Sequence, residues 1–518
     1  MQGLWQQISD LSLGHQDAIA LSEPDSGQSL NYAQLVERVE KLAEYLQQLD
    51  AFLSPDSGPL GLLAGNGIDW IVTDLAALAA GRCLIPVPTF FSEKQREHAL
   101  DDAGAGFLIA PQGVTLPSTY ELLNPLPETG TLSLWQRQIG NDSNLLSADR
   151  LPVGTVKVTY TSGSTGNPKG VCLSEEHITV VANTLADATR DCPIRRHLCV
   201  LPLATLLENL AGVYAPLLRG AEICVPDLAT LGFRGSSSFV PQLFLQGIGT
   251  VRPHSMILIP QLLDCLVEAT RAGWQPPDSL VFIAVGGGKV SRAMLEEAER
   301  RGLPVYEGYG LSECGSVVSL NLPGRNRSGS VGRPLPHVDI EIIDGEIFVG
   351  GQLCLGYTGE PRDSGSGKLA TGDLGCFDED GYLTINGRRK NLLITSFGRN
   401  ISPEWIEAEL NTIPGVLQTF VTGDAQPYLG ALLVALPGLD DSRLQEAIEL
   451  VNKRLPDYAR VKCWQRIGSP FSVSEGTLTA NGRPRREAIL NRYGKQIDAL
   501  FPSPLINPDV ENLRTGAQ

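Results

Sequence analysis

A run of hydroxyl-bearing and glycine residues has the clearest chemistry in this 518-residue sequence. It extends over residues 161–166 and leads into Asn-Pro-Lys169-Gly. Consecutive hydroxyl and glycine N–H groups can wrap a polyphosphate, and the Lys169 ammonium adds a point charge. The spacing differs from the Walker pattern GxxxxGK followed by Ser or Thr, so a P-loop NTPase is disfavoured. A bare glycine loop is often only a flexible turn, but this unbroken run favours phosphate binding.

The neighbouring residues predict a strand before this run and a helix after it. Residues 156–160 alternate as a strand does, and Ser174 is a suitable N-cap for the following helix. Further along, residues 280–285 predict a buried strand, residues 291–301 a helix, and a second strand follows near Val305. This strand–helix–strand alternation favours a mainly parallel sheet with helices on both faces.

The pattern changes near Val338, where short strands separated by Asp-Gly or Gly turns predict hairpins. After the basic segment 387–391, the sequence predicts a further α+β stretch to about Tyr493. We therefore expect an α/β fold with a large N-terminal portion and a small α+β C-terminal portion. Segment 387–391 is the candidate hinge between them.

The charge balance excludes some classes of partner. The sequence has 41 Lys and Arg against 58 Asp and Glu, a formal net charge of −17. General phosphate-backbone binders display net positive charge, so nucleic acid is not an expected partner. The same balance disfavours docking on an anionic membrane face. Apolar residues make up 42% and charged residues 19%, which is the composition of a folded globular protein.

The expected localisation is cytoplasmic. The N-terminus lacks the basic stretch and apolar run of a secretory signal, and no run of about 18 apolar residues predicts a membrane span. The ten cysteines contain no CxxC pair, which suits reduced thiols. A zinc site needs clustered ligands, and the six histidines do not supply them in sequence.

The phosphate-binding run resembles the signature loop of the adenylate-forming superfamily, which includes acyl-CoA synthetases, peptide-synthetase adenylation domains and luciferases. Residues 306–313, Tyr-Glu-Gly-Tyr-Gly-Leu-Ser-Glu, resemble its aromatic-Gly-x-Thr-Glu motif. Other family-like segments follow in the family's order, at 328–334, 345–349, 369–373, 387–390 and 400–407. The resemblance covers nearly the whole chain. It implies a multi-subdomain N-terminal body, 1–388, and a small mobile lid, 389–518.

The resemblance also implies a chemistry. ATP is held so that a carboxylate attacks the α-phosphorus and pyrophosphate leaves, while Mg²⁺ and basic side chains neutralise the developing charge. Glu313 is the expected Mg²⁺ ligand, and Asp373 resembles the residue that accepts both ribose hydroxyls. Arg388 resembles a ribose- or phosphate-contacting arginine. The expected ATP- and AMP-binding residues are Thr161, Ser162, Gly163, Ser164, Thr165, Gly166, Gly286, Gly287, Gly288, Tyr309, Gly310, Ser312, Asp373 and Arg388; the expected catalytic residues are Lys169, Glu313 and Arg483.

The glycines at 286–288 allow a competing interpretation. With the next three residues they partly match the dinucleotide-binding GxGxxG fingerprint, but Ser291 occupies the position of the third glycine. In the adenylate-forming family this loop lies against the adenine, where small residues let the backbone approach a flat ring. The family interpretation is therefore favoured over a Rossmann site.

Two positions depart from the family's pattern. Residues 201–208 resemble the Leu-Pro-Leu-x-His segment of long-chain acyl synthetases, but Thr205 replaces the histidine that normally lies near the substrate carboxylate. Thr205 and Gly308 are the expected acyl or carboxylate pocket residues. Residues 478–486 resemble the segment with the adenylation lysine, and Arg483 falls at the lysine's place. Arginine keeps the charge, but its planar fork cannot place one compact charge between two oxygens.

Arg483 leaves three outcomes open. It substitutes for the lysine, it supports only slow adenylation, or the chain has lost activation and binds nucleotide or acyl ligands without catalysis. We favour the first, because the phosphate loop, Glu313, Asp373 and Arg388 all remain.

We therefore expect ATP-dependent activation of a fatty or other apolar carboxylic acid to acyl-AMP, then acyl transfer to a thiol, with CoA as the expected acceptor. An acyl carrier protein or another acceptor is the alternative. Only about 30 residues follow Arg486, fewer than the roughly 80 of a carrier module, so a carrier protein would act in trans. By resemblance, the lid rotates about the hinge residue Lys390, and Gly398 and Asn400 belong to its thiol-acceptor loop.

Overall fold

The fold is seen in a computed structural model, which describes residues 2–53, 58–138, 150–161, 168–234, 238–361, 367–396, 399–479 and 482–501. These residues divide into two compact units. The larger unit contains residues 1–371 and 375–385, and the smaller contains 372–374 and 386–518. Each unit has its own hydrophobic core.

The larger unit contains a sheet with nine strands among the described residues. Its central strands are short, buried and parallel, as the sequence alternation predicted. Apolar runs such as Phe282–Val285 suit this position, because helices cover both faces of a parallel sheet. In spatial order the strands are Arg333–Pro334, Ser319–Leu320, Val305–Tyr309, Phe282–Val285, Ser255–Leu258, Arg196–Leu198, Glu222–Cys224, Ile19–Glu23 and Gln28–Asn31.

A second sheet, also with nine described strands, combines a parallel centre with antiparallel edges. The main core cluster contains residues from both sheets and from the helices beside them, including Leu35 and Trp70. In spatial order the strands are Glu360–Pro361, Gly356–Tyr357, Lys169–Ser174, Thr155–Thr161, Leu84–Pro86, Leu60–Leu62, Phe107–Pro111, Leu132–Arg137 and Tyr120–Pro125.

The predicted phosphate-binding run joins two antiparallel strands of this second sheet, Thr155–Thr161 and Lys169–Ser174. The helix Glu175–Ala188 begins only after the second strand, and Ser174 caps it as predicted. The helix after the run is confirmed, but the strand between them was not predicted from the sequence. The second strand is buried along most of its length, so it shows no alternation by which it could be recognised.

Some helices of the larger unit begin at a serine N-cap. Ser291, for example, accepts a 3.1 Å hydrogen bond from the Met294 N–H at the start of Arg292–Arg300. The α-helices are Leu4–Ser12, Tyr32–Leu53, Ile68–Ala79, Glu93–Asp102, Glu175–Ala188, Ala215–Leu217, Pro241–Val251, Pro260–Arg271 and Arg292–Arg300; Glu208–Tyr214 is a π-helix and Ser312–Cys314 a 3₁₀ helix. A short ribbon pairs Phe233–Arg234 with Ser238–Phe239.

The predicted hairpins after Val338 form a four-stranded sheet. Its strands are Val338–Ile343, Glu346–Gly351, Lys368–Phe377 and Leu383–Arg388. The smaller unit adds a three-stranded sheet and a two-stranded ribbon of α+β type. Their strands are Val416–Thr422, Leu429–Ala435 and Val461–Arg466, with Leu393–Ile394 and Asn400–Ile401; the helices are Pro403–Leu410, Asp441–Arg454, Arg486–Arg492 and Gly494–Ala499, with 3₁₀ helices Arg389–Asn391 and Asp457–Ala459.

The predicted α/β fold, with a large N-terminal portion and a small α+β C-terminal portion, is confirmed. None of the described helices is both long enough and apolar enough to cross a membrane.

Candidate active site

Thr161 and Lys169 fix the two ends of the predicted phosphate loop. They are direct cross-strand partners in the hairpin. Gly170 follows, where a Cβ would come within 2.7 Å of the Thr358 side chain and 2.9 Å of the Tyr160 ring. Only glycine therefore lets the hairpin approach its neighbours this closely. Five predicted loop residues lie outside the described residues: Ser162, Gly163, Ser164, Thr165 and Gly166.

Tyr357 links Lys169 to Glu313. Its strand pairs with the second strand of the hairpin, with Tyr357 opposite Val171. The Lys169 Nζ lies 5.3 Å from the centroid of the Tyr357 ring, within the range of cation–π attraction. The Tyr357 hydroxyl donates a 2.9 Å hydrogen bond to Glu313 Oε1. Burial, and then the Glu313 carboxylate, raise the pKa of Tyr357 well above its usual value, so the hydroxyl remains a donor.

Tyr357 is a site residue that the sequence analysis missed. It stands in Gly-Tyr-Thr-Gly359, which has the composition of an ordinary turn. The residue reaches the site because Gly356–Tyr357 adds to the sheet beside the hairpin. Such long-range strand pairing is not encoded in local spacing.

A 3₁₀ helix, Ser312–Cys314, presents the predicted magnesium ligand Glu313. Gly310 precedes it at a position where a Cβ would lie 2.0 Å from the Ser316 carbonyl oxygen, so no larger residue fits. Among the described residues, Tyr357 is the one hydrogen-bond donor to the Glu313 carboxylate. One carboxylate oxygen is thus held, which orients the other.

Two glycine segments, 286–288 and 308–310, lie side by side at the carboxyl ends of neighbouring parallel strands. A Cβ on Gly286 would lie 3.5 Å from the Gly308 carbonyl oxygen. Ligands of open α/β sheets bind at this edge, and glycines leave the backbone approachable there. The structure therefore brings the predicted adenine loop next to the motif that contains Tyr309.

Glu307, beside Gly308, is a buried acid with 4% of its surface exposed. Burial raises the pKa of its carboxyl to about 7, although the Lys289 charge and a hydrogen bond from the Val290 N–H act in the opposite direction. The Lys289 ammonium itself donates a 2.9 Å hydrogen bond to the Ile385 carbonyl. This edge of the sheet therefore contains a group that titrates near neutral pH.

Asp373 and Arg388 form an ion pair, in which Arg388 Nε donates to Asp373 Oδ1 at 2.7 Å. The Asp373 side chain is 9% exposed and the Arg388 side chain 39%. Gly372 precedes the acid with a φ of 72°, a left-handed conformation that favours glycine. The structure thus brings two predicted nucleotide-binding residues into direct contact.

The Thr205 hydroxyl forms a hydrogen bond within its own turn. Its Oγ1 donates a 2.6 Å hydrogen bond to the Pro202 carbonyl. Asn66 holds the same segment by accepting a 2.9 Å hydrogen bond from the Leu203 N–H. The side chain that replaces the family's histidine therefore already has its donor occupied, and it turns toward the backbone.

An apolar cavity of about 60 Å³ lies in the larger unit, and Gly308 is not among the residues that line it. Its wall includes residues of the helices Glu175–Ala188 and Ala215–Leu217, the π-helix Glu208–Tyr214 and the first sheet. Leu320 belongs to its wall, and a Cβ on Gly308 would lie 3.0 Å from Leu320 Cδ1. The few polar groups in the wall include His197, Ser255 and Arg219.

A buried charge network ties the π-helix to the phosphate hairpin. Lys157 Nζ donates to Asp74 Oδ1 at 2.7 Å, to Asn209 Oδ1 at 2.5 Å and to the Tyr214 hydroxyl at 2.7 Å. Asn209 and Tyr214 donate in turn to Asp74 Oδ2 at 2.8 and 2.5 Å. Burial lowers the pKa of Lys157, and Asp74 opposes that shift. The network holds the strand leading into the phosphate loop against the helix that lines the cavity.

Arg483, the predicted adenylation residue, is exposed in a turn of the smaller unit. A bridge between Leu478 and Pro484 closes the turn. The Arg483 N–H donates a 3.0 Å hydrogen bond to Thr479 Oγ1, which fixes the backbone of the turn.

The predicted hinge and thiol-acceptor residues are also in exposed positions. Lys390 lies in the 3₁₀ helix Arg389–Asn391. Asn400 lies in the short strand Asn400–Ile401. Gly398 is outside the described residues.

Comparison with known proteins identifies this arrangement. A model of the family described as AMP-binding enzyme matches residues 12–359, and a model of the AMP-binding enzyme C-terminal domain matches residues 390–503. A long-chain-fatty-acid–CoA ligase of Mycobacterium bovis is 25% identical over 85% of this chain and 89% of its own length. A 2-succinylbenzoate–CoA ligase of Bacillus pumilus is 27% identical over 76% of this chain and 79% of its own length.

Solved structures share the fold. O-succinylbenzoate coenzyme A synthetase from Bacillus subtilis, in complex with ATP and a magnesium ion, matches with a TM-score of 0.72 and 24% sequence identity. The match covers 94% of this chain and 99% of that one.

Proposed function

Because this chain belongs to the AMP-binding enzyme family and is an adenylate-forming ligase, we propose that it activates an apolar carboxylic acid, with fatty acids as the favoured class. A carboxylate oxygen attacks the α-phosphorus of ATP, the bond from that phosphorus to the bridging oxygen of the β-phosphate breaks, and pyrophosphate leaves. A thiol then attacks the acyl carbon of acyl-AMP, releases its proton and displaces AMP.

The contacts of Lys169 and Glu313 with Tyr357 carry this proposal. They place a cation at the end of the phosphate loop and an oriented carboxylate next to it. A carboxylate and an ammonium group contact one tyrosine beside a glycine- and hydroxyl-rich loop. The ammonium and the loop suit a polyphosphate, and the carboxylate suits the cation that accompanies it.

Glu313 fits a magnesium–nucleotide complex, since Mg²⁺ takes one or two carboxylates together with substrate phosphates and water. When bound, Mg²⁺ would neutralise the negative charge that develops on the leaving pyrophosphate. We assign Tyr357 the task of orienting Glu313, and Lys169 that of contacting phosphate. Asp373 and Arg388, in the smaller unit, are proposed to contact the ribose and phosphate.

The apolar cavity that includes Leu320 in its wall suits an apolar acyl group. Its wall is mainly aliphatic, with Leu207 and Ala211 on the π-helix side and Leu320 on the sheet side. An acid whose carboxylate lies over the glycine segments would insert its hydrocarbon part here, where burial is favourable by about 25 cal/mol per Å². Thr205 is proposed to shape the entrance without contacting the carboxylate.

A compact acid is the second candidate for the substrate. The cavity measures only about 60 Å³, which favours a short acyl group over a long chain. The relative from Bacillus pumilus is named for 2-succinylbenzoate, a compact aromatic acid. The acid panel described below separates the two candidates.

CoA is the proposed thiol acceptor, since both relatives named above are CoA ligases. We further propose that the body 1–388 and the lid 389–518 move relative to each other about Lys390 between the half-reactions. In this scheme, Arg483 serves adenylation and the segment containing Gly398 and Asn400 serves thiol transfer.

Trapping acyl-AMP with hydroxylamine tests the function directly. The purified chain is incubated with Mg²⁺, ATP and a panel of straight-chain and aromatic carboxylic acids, and hydroxamate is measured. We expect hydroxamate with at least one apolar acid, and chain length or aromatic character then assigns the substrate. Repeating the panel with CoA and with an acyl carrier protein identifies the acceptor.

Absence of hydroxamate from every acid, despite measurable ATP binding, would overturn the proposal. The chain would then be a nucleotide- or acyl-binding protein that has lost activation, as Arg483 and Thr205 allow. The variant Arg483→Lys is the matched control, since it restores the family's lysine.

A further inference from the structure

His197, Cys199 and Glu208 form a buried cluster outside the proposed nucleotide site. Their ligand atoms, one from each side chain, all lie within 4.8 Å of one another. His197 Nε2 and Glu208 Oε1 are 3.2 Å apart. The three residues are 2%, 0% and 0% exposed, respectively. Nitrogen, sulfur and oxygen donors thus converge in the protein interior.

An extended segment supplies His197 and Cys199 to this cluster, and a π-helix supplies Glu208. His197 lies in the strand Arg196–Leu198, and Cys199 continues the same extended chain by pairing its N–H with the Cys224 carbonyl at 2.9 Å. Residues two apart on an extended chain point to the same side. Glu208 begins the π-helix that packs there, and such helices occur frequently at functional sites.

Gly212 keeps the space between the donors open. A Cβ at this position would lie 2.6 Å from Glu208 Oε1 and 2.8 Å from His197 Nε2. Any larger residue would fill the space where the two side chains meet. The π-helix therefore supplies both a donor and the gap in front of it.

One of the two oxygens of the buried Glu208 carboxylate lacks a partner, while Oε1 faces His197 Nε2 and the Cys199 thiol interacts with the same carboxylate. No described residue makes a hydrogen bond of normal geometry to its Oε2, which is fully buried. Burial of an unpaired carboxylate oxygen is costly unless a cation or a donor compensates it. The unpaired oxygen is a second observation, independent of the clustering, that points to a missing cation.

We propose that His197, Cys199 and Glu208 bind a divalent transition-metal ion of the Zn²⁺ class. A neutral imidazole, a thiolate and a carboxylate around Zn²⁺ give zero net charge, which suits an apolar interior. Bonds of about 2.0–2.3 Å in a tetrahedral site place ligand atoms roughly 3.3–3.8 Å apart, so the largest separation in the cluster needs to shorten by about 1.5 Å at most. Binding releases the Cys199 proton to solvent.

Ser255 contacts the ring nitrogen of His197 that does not face Glu208. Its Oγ lies 2.9 Å from His197 Nδ1, which leaves Nε2 to face Glu208. Metal-bound histidines normally have such a partner on the other ring nitrogen. His197 and Ser255 also line the apolar cavity, so a water molecule entering from there can take the fourth position.

The cluster has one physical competitor, a hydrogen-bonded triad without metal. In that arrangement a protonated His197 donates to Glu208, and Cys199 remains a thiol. Both arrangements are neutral overall, but only the metal site has a deprotonated sulfur bonded to a metal. A spectroscopic signature of that bond distinguishes them.

Cobalt binding is the test. The full chain, free of any affinity tag and treated with chelator, is titrated with Co²⁺ in the absence of ATP and Mg²⁺. Because Cys376 is exposed, every protein used has the Cys376→Ser background. We expect one Co²⁺ per chain, a thiolate-to-cobalt charge-transfer band, intense tetrahedral d–d bands, and displacement of Co²⁺ by Zn²⁺.

Variants of Cys199, Glu208 and Gly212 distinguish binding at this site from nonspecific metal binding elsewhere on the protein. Cys199→Ser should abolish the charge-transfer band, and Glu208→Gln and Gly212→Ala should each weaken Co²⁺ binding on the order of 10- to 100-fold. Cys224→Ser, at a buried thiol on the adjacent strand, is the matched control and should bind like its parent. Circular dichroism checks that each variant is folded.

A folded parent protein that shows no charge-transfer band would overturn the metal site and leave the hydrogen-bonded triad. The same conclusion would follow if Cys199→Ser kept the band at full strength. The hydroxamate assay, run with chelator-treated protein in Mg²⁺ and ATP, is independent of both results, so failure of this site would not be mistaken for failure of the proposed function.

Discussion

The Tyr357 hydroxyl donates a 2.9 Å hydrogen bond to Glu313 Oε1 while its ring faces the Lys169 ammonium. One side chain thus contacts both charged groups assigned to the first half-reaction. Because the three residues come from three separate segments of the chain, their meeting is a property of the fold and gives a direct way to test the site.

Replacing Tyr357 with Phe should impair adenylation. Loss of a hydrogen bond to a charged group costs about 1.5–3 kcal/mol, so acid-dependent ATP–pyrophosphate exchange should fall roughly 10- to 100-fold. The Mg²⁺–ATP concentration for half-maximal exchange should rise. Tyr45→Phe is the control, because it removes a tyrosine hydroxyl that is hydrogen-bonded to Asn124 away from the site. It should leave ATP–pyrophosphate exchange nearly unchanged. Equal effects of the two variants would contradict the assigned role.

Arg483→Ala should remove most pyrophosphate exchange, by roughly 100-fold or more, if its guanidinium stabilises charge at the α-phosphate. Arg483→Lys should retain exchange at or above the parent rate, since lysine is a compact point charge. Unchanged exchange in Arg483→Ala would refute the role. Because Arg483 is exposed, neither change should alter the melting temperature appreciably.

Lys390→Pro should slow thioester formation more than adenylation. Proline fixes φ near −65° and removes an N–H, which restricts rotation at the proposed hinge. We expect roughly a 10-fold loss in CoA-dependent product formation with pyrophosphate exchange nearly intact. Lys390→Ala keeps the backbone free and is the control. Equal losses in both half-reactions would argue against the hinge.

Glu307 should make the stability of the larger unit fall between about pH 4.5 and pH 7. Its pKa is about 7 in the folded chain against an ordinary value of 4.5, so over this interval the folded state retains a proton that the unfolded state has released. Stability therefore decreases as pH rises, by at most roughly 3 kcal/mol. Glu307→Gln should flatten that decline in urea unfolding curves.

The matched control for this pH effect is Glu299→Gln, at an exposed acid of the same unit. Its unfolding curves should keep the slope of the parent protein between pH 4.5 and 7. A Glu307→Gln curve that declines as steeply as the parent's would show that another group causes the pH dependence.

Lys157→Met should destabilise the larger unit by about 3–5 kcal/mol, because it leaves the Asp74 carboxylate buried without its cation. Urea unfolding followed by circular dichroism measures the loss. Lys157→Met combined with Asp74→Leu removes both charges and should be less damaging than the single change. A single variant that loses under about 1 kcal/mol would show that the pair contributes little.

Local sequence was sufficient for part of this structure. The caps at Ser174 and Ser291 were readable from hydrogen-bonding chemistry, or from the start of a helical pattern. The meeting of segments 286–288 and 308–310 follows from parallel strands, whose carboxyl ends share one edge of a sheet. These features depend on rules that act over a few residues or on a simple topology.

Other features depend on contacts that no local pattern records. Tyr357 enters the site through strand pairing near a sheet edge, and Glu208 meets His197 and Cys199 because the π-helix that begins at Glu208 packs against the strand of His197. The strand after the phosphate loop was missed for a related reason, since burial on both faces removes the alternation by which strands are recognised.

The π-helix Glu208–Tyr214 makes its segment of the chain tolerant of losing one residue. A π-turn is equivalent to an α-helix with one inserted residue, and its wider turn accommodates that residue without rotating the flanking side chains. Deleting a single residue between Glu208 and Tyr214 would therefore let the segment close into a regular α-helix, with Tyr214 still directed toward Lys157. The same deletion in the regular helix Glu175–Ala188 would turn the following side chains by about 100°, so the protein can shorten at one of these helices far more easily than at the other.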